Sequence, residues 1–203
     1  MKKIGVFGGT FNPIHNGHIY LAKSAYKLLN LDKVLVIPSG FSYQKSGENV
    51  LSKYIRADMV KLAIKDYPYL EYSDIEVKKE GNSYTYSTIL DLKEEYLDAL
   101  LYLIIGADTL FNIESWKNIE TLLSNCILSV MQRDDHNKSE VIKMCNYLNV
   151  KYNSKAEIID IEKIDISSTN IRNSIKKGNF TNDCNELPPN VYKYIIDNAL
   201  YKG

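Results

Sequence analysis

Along the chain, short apolar runs rich in β-branched residues alternate with segments whose apolar residues recur every three or four positions. The runs KIGVF, KVLVIP (33–38), LEYSDIEV (70–77), ALLYLIIGAD (99–108), CILSVM (126–131) and AEIIDI (156–161) predict strands. Ile19, Ala22, Ala25 and Leu29 mark one helical face, Ile55, Met59, Leu62 and Ala63 a second, and Val141, Met144, Cys145 and Leu148 a third. Because the strands read as nearly continuous apolar runs, helices are expected on both faces of the sheet. The pattern predicts an α/β fold with a doubly wound, mostly parallel sheet, whose ligands bind beyond the C-terminal ends of the strands. Two further helices are expected near the C-terminus. One runs from about Thr169 to Lys177, stopped by Gly178, and one from about Asn190 to Leu200, after Pro188-Pro189. Residues 1–203 read as one domain, with no repeat, low-complexity tract or linker.

Lysine plus arginine equals aspartate plus glutamate, at 25 each. No global positive field is available to hold long nucleic acid or an anionic membrane, so any anion must be recognised locally. Cys126, Cys145 and Cys184 are far apart and lack CxxC spacing, which argues against a disulfide framework or a structural zinc site and favours a reducing cytoplasm. The opening MKKIGVFGGTF could pass for the start of a secretory signal, but Gly8, Gly9, Asn12, Pro13 and His15 interrupt the apolar run too early. No stretch approaches the roughly 18 apolar residues of a membrane span.

The chemistry concentrates in GGTFNPIHNGH, residues 8–18. A strand ends there in glycines, whose missing side chains let backbone N–H groups approach a ligand, and a helix begins at about Asn16 or Gly17. His15 and His18 then lie about one turn apart at the positive end of that helix, where both can face one phosphate chain. The spacing is neither a GxxxxGK[ST] phosphate loop nor a GxGxxG dinucleotide fingerprint. A metal site is not indicated, because the third histidine, His136, sits in a polar stretch and no cysteine lies near His15 or His18 in sequence. Downstream, IDISSTNIR (164–172) offers Ser168 or Thr169 as a helix cap and Arg172 as a polyphosphate donor.

These two segments resemble the HxGH and ISSTxIR signatures of the nucleotidylyltransferase superfamily, which implies its Rossmann-like fold, the second motif being carried by C-terminal helices from about residue 168. The rest of the chain is similar to the bacterial nicotinate-mononucleotide adenylyltransferases. GNSYTYST (81–88) resembles their GxSYTxDT loop, with Ser87 where aspartate is usual. IIGADTLFNIESWKNIETLL (104–123) resembles their IGxDxxxxxxxW segment, VMQRDD carries Arg133 at the family's arginine, and ELPPNVYKYI is similar to the closing LPxxVxxYI helix. Where the family reads PPHK, this chain reads SYQK, with Gln44 in place of histidine and Lys45 retained. Lys45 and Arg56 are the cations that could meet phosphate there, although Arg56 also fits an exposed position on LSKYIRADMVKLAI.

The resemblance implies transfer of the adenylyl group of ATP to nicotinate mononucleotide, with Mg²⁺ on the triphosphate, in NAD biosynthesis. It implies His15, His18 and Arg172 as catalytic residues, with His18 at the α-phosphate and His15 on the phosphate chain. It puts ATP on Gly8, Gly9, Thr10, Phe11, Gly106, Asp108, Ser168 and Thr169, and the mononucleotide on Lys45, Tyr84, Thr85, Trp116 and Arg133. Backbone amides around Thr85 and Trp116 are expected to hold the nicotinate carboxylate, with Trp116 against the pyridine ring. Other acceptors, such as nicotinamide mononucleotide or phosphopantetheine, and a non-catalytic nucleotide-binding module stay open. GNSYTYST and ESW favour nicotinate, and the absence of a KMSKS-like loop argues against an aminoacyl-tRNA synthetase fragment. Homo-oligomerisation is left open.

Overall fold

In the computed structural model, residues 1–41, 50–132, 137–181 and 185–202 are described. Six parallel strands form one sheet: β1 (Lys2–Gly9), β2 (Lys33–Pro38), β3 (Leu70–Tyr72), β4 (Ala99–Gly106), β5 (Ile127–Gln132) and β6 (Lys155–Asp160). Their order is β3-β2-β1-β4-β5-β6. The chain winds outward from β1 in one direction through β3 and then returns to β4 on the other side. The crevice between the C-terminal ends of β1 and β4 is therefore the switch point at which such sheets bind ligands.

Helices cover both faces: α1 (Asn16–Leu28), α2 (Lys53–Ile64), α3 (Thr85–Glu95), the short α4 (Ala107–Leu110), α5 (Ile119–Asn125), α6 (Lys138–Tyr152), α7 (Ser168–Lys176) and α8 (Pro189–Asp197). Strand residues alternate between two cores. Val34, Val36, Tyr102 and Ile104 pack with α1, α2, α7 and α8, while Leu35, Ile37, Leu101, Leu103 and Ile105 pack with α3, α5 and α6. Both sides of each central strand are buried, which is why these runs are apolar at every position.

Some predicted elements end earlier than their patterns: ALLYLIIGAD is a strand only to Gly106, where α4 begins. LEYSDIEV pairs only through Leu70–Tyr72, because β2 ends at Pro38 and Ser73 donates the closing bond to Val36 O (3.1 Å). The chain then turns and carries Glu76 inward, where it is buried. The last helix stops at Asp197, and Ala199 and Tyr201 take left-handed φ values of 51° and 64°, folding the end of the chain back over the β1 end of the sheet. Gly178 does stop α7, with φ 71°. No helix among the described residues is long and apolar enough to cross a membrane.

Candidate active site

Two joined clefts open at the switch point. One, of about 500 Å³, is lined by Ser83, Tyr84, Thr85, Glu76, Asp108 and Lys117 among others. Its neighbour, of about 460 Å³, is lined by Phe11, His18, Gly106, Ser168, Thr169 and Arg172 among others. Gly8, Gly9, Thr10, Ile104, Ile105, Thr109 and Trp116 line both, so the end of β1 is the floor at which the clefts meet. Each is large enough for a nucleotide.

The glycine corner works through two different glycines. A Cβ on Gly8 would meet no protein atom within 4 Å, so the space in front of it is left to a ligand. A Cβ on Gly9 would instead strike the Phe11 ring at 2.8 Å. Phe11 is buried and held at φ 47°, a left-handed conformation costly for a non-glycine residue, which its surroundings must enforce. Its ring meets His18 edge to face, with centroids 5.1 Å apart. The left-handed turn thus sets an aromatic ring against one imidazole.

His15 and His18 stack, with ring centroids 3.7 Å apart and planes 28° apart. His18 Nδ1 accepts the His15 backbone N–H (3.2 Å), so Nε2 is the nitrogen His18 can offer as a donor to a ligand. His18 lines the cleft of Arg172, whereas His15 is buried behind it and lines a third, smaller hollow with Ile161, Ile164 and Ile166. The two rings are adjacent, but only His18 faces the main cleft.

The C-terminal motif fastens the first. Ser168 Oγ donates to Pro13 O (2.9 Å), Arg172 Nη1 to Asn12 O (2.8 Å) and Tyr201 OH to Asn12 Oδ1 (2.9 Å). The cap expected of Ser168 or Thr169 is not formed. Ser167 holds the cap position, the Ser168 hydroxyl is turned to Pro13, and Thr169 Oγ1 accepts from Arg172 Nη2 (3.3 Å).

Arg56 is neither a phosphate contact nor a surface residue. It is 2% exposed, and its guanidinium donates to Thr10 O (2.6 Å), Ser39 O (2.7 Å), Gly40 O (3.0 Å) and Leu51 O (3.0 Å). Burial draws its pKa down, while Tyr201 and Glu76 oppose that shift. Glu76 continues the chain of contacts, accepting from Thr88 Oγ1 (2.9 Å) and from the Gly40 backbone. Burial raises its pKa, and those hydrogen bonds pull it back. Gly40 must lack a side chain because a Cβ would collide with Glu76 O and with Ser83 Oγ. The loops after β1 and β2 and the start of α3 are thereby tied together.

In the larger cleft, Tyr84 precedes Thr85, the first residue of α3, whose first-turn N–H groups carry the helix's positive end. Trp116 is half-buried, follows a 3₁₀ turn (Ile113–Ser115) and forms part of both clefts. Asp108, expected on the ATP side with Gly106, lines the larger cleft while Gly106 lines the other. Ser87 accepts a hydrogen bond from Lys79 Nζ (3.0 Å). Lys45 and Arg133 lie outside the described residues, as do Gln44, His136 and Cys184. Among the described residues no group of three or more His, Cys, Asp or Glu side chains could hold a metal ion. Sequence reasoning passed over Asn12, Glu76, Lys117 and Tyr201.

A sequence model of the cytidylyltransferase-like family matches residues 6–174. A Clostridium acetobutylicum protein named "Probable nicotinate-nucleotide adenylyltransferase" is 40% identical over 99% of this chain and 100% of its own length. A Clostridium tetani protein of the same name is 41% identical over 100% of both. The structure of Plasmodium falciparum nicotinic acid mononucleotide adenylyltransferase complexed with NaAD superimposes with a TM-score of 0.81 at 23% identity, over 99% of this chain and 98% of that one. With its two motifs meeting at one switch point and its relatives matching from end to end, this chain belongs to the nicotinate-nucleotide adenylyltransferases of the cytidylyltransferase-like family.

Proposed function

We propose that the protein transfers the adenylyl group of ATP to nicotinate mononucleotide, forming nicotinate adenine dinucleotide and pyrophosphate. The observation that carries this reading is the pair of joined clefts with a common floor at Gly8, Gly9 and Thr10. A product made of two nucleotides linked through their phosphates calls for two nucleotide-sized sites meeting where that link forms. ATP occupies the cleft of His18 and Arg172, and the mononucleotide occupies the cleft of Tyr84, Thr85 and Trp116.

A phosphate oxygen of the mononucleotide attacks the α-phosphorus in line. The new P–O bond forms as the bond to the β-phosphate oxygen breaks, and the electron pair leaves with pyrophosphate. The attacking oxygen is already anionic, so no base is required. The protein has to align two mutually repelling phosphates and stabilise the charge that moves. The Thr10 backbone N–H and His18 Nε2 serve the reacting phosphate, and Arg172 serves the departing one. His15 holds His18 in its stack. Mg²⁺ enters as part of the ATP substrate, bound mainly by phosphate and water oxygens, as befits an ion that dehydrates reluctantly.

The test is pyrophosphate release from Mg–ATP with nicotinate or nicotinamide mononucleotide as acceptor. A strong preference for the acid is the expected result. Equal rates would remove carboxylate recognition from this reading, and silence with both would point to another phosphate acceptor or to a binding module.

A further inference from the structure

Lys117 follows Trp116 on the exposed rim of the mononucleotide cleft. Its Nζ stands 4.5 Å from the centroid of the Tyr84 ring, which borders the same cleft. Among the described residues lining that cleft, Lys117 is the one cationic side chain, and the acidic ones are Glu76 and Asp108. Glu76 is buried in the wall and engaged with Thr88. A cation is attracted to the face of an aromatic ring, so Tyr84 holds the ammonium group at the rim rather than letting it range through water. The positive end of α3 begins at the same tyrosine. Two positive features therefore converge beside Trp116, in a cleft whose other charged side chains are carboxylates.

Nicotinate mononucleotide carries negative charge at two places, the phosphate at the reacting end and the carboxylate on the pyridine ring. Its amide analogue has the same phosphate and a neutral ring substituent. With the phosphate at the shared floor, the ring end reaches toward Trp116, Tyr84 and Lys117.

We infer that Lys117 is a specificity-determining residue that attracts the ring carboxylate and favours the acid substrate over the amide. The inference rests on the function proposed above. Backbone N–H donors already favour the two acceptor oxygens of a carboxylate over an amide that carries an NH2 donor, and a full positive charge adds an electrostatic preference of its own. Because Lys117 is exposed, its contribution is modest and sensitive to salt.

The experiment compares kcat/KM for nicotinate and nicotinamide mononucleotide at saturating Mg–ATP in the wild type, Lys117→Met, Lys117→Arg and Lys117→Glu. Lys117→Met is expected to cut the acid-over-amide ratio by roughly three- to tenfold, mainly through KM for the acid. Lys117→Arg should keep the ratio, and Lys117→Glu should lower it further. Raising the ionic strength should narrow the wild-type preference more than that of Lys117→Met. A wild-type preference that survives intact in Lys117→Met and Lys117→Glu would overturn the role of Lys117 and leave the proposed reaction standing. A wild type with no preference would overturn carboxylate recognition itself, and the absence of turnover with either acceptor would overturn the proposed reaction.

Discussion

The turn from Thr10 to Pro13 is gripped by side chains between 46 and 189 residues away in sequence, namely Arg56, Ser168, Arg172 and Tyr201. The segment that presents Trp116 is held differently, by an exposed tie on its outer side, where Glu114 accepts from Lys151 Nζ (2.7 Å) and Tyr152 OH (2.7 Å), and otherwise by short-range bonds of its own. Trp116 N–H donates to Ile113 O, and Ser115 donates to Asn112 O from both its backbone and its hydroxyl, all within three residues. The contrast follows the chemistry. Aligning two phosphates for in-line transfer tolerates little displacement, since a misplacement of about 1 Å costs on the order of a hundredfold in rate. Gripping a flat ring depends on contact area and tolerates small shifts.

The comparison can be broken at its stiff end first. His18→Ala should lower kcat by roughly 10²–10³-fold in a variant that still folds, as expected for one donor to a developing charge. Near-normal turnover in the folded variant would remove His18 from the reacting centre. Arg56→Met keeps much of the side-chain volume but leaves the carbonyls of Thr10, Ser39, Gly40 and Leu51 without their donor. We expect a loss of about 2–3 kcal/mol in denaturant unfolding, accompanied by a drop in kcat. Unaltered stability would mean that the two loops are held by something else. Trp116→Ala should have the mildest effect, a rise of roughly tenfold in KM for the mononucleotide with kcat less affected. Trp116 is the sole tryptophan, so fluorescence quenching by the mononucleotide would report the same contact in the wild type. An increase confined to KM for ATP would assign the ring to the other cleft.

The strands were legible because each is a short apolar run between turn residues, and β2 occupies the predicted KVLVIP segment. Helix starts were legible where glycine, serine or proline marks them. The approach of GGTFNPIHNGH to SSTNIR followed from motif and topology together, since both lie beyond strand ends. The roles of particular side chains were less accessible. Arg56 stands at helical spacing with Met59, Val60 and Ala63, all buried, so its place on the apolar face was readable, but its partners are backbone carbonyls in other loops. Glu76 was hidden by the reading of 70–77 as one strand, because alternation cannot register where the neighbouring strand stops. Ser168 looks like a cap in sequence, yet its hydroxyl is bonded to Pro13, and no local pattern encodes a bond across 155 positions.

The contact from Tyr201 to Asn12 joins two residues that leave the ribosome 189 positions apart. The glycine corner and its histidines are made before the residues that fasten them, so their final fastening waits until Ser168, Arg172 and Tyr201 have also left the exit tunnel. A partly made chain can build the sheet around β1 while lacking both Arg172 and Tyr201 against Asn12. The order of synthesis thereby delays completion of the site until the fold that supports it exists.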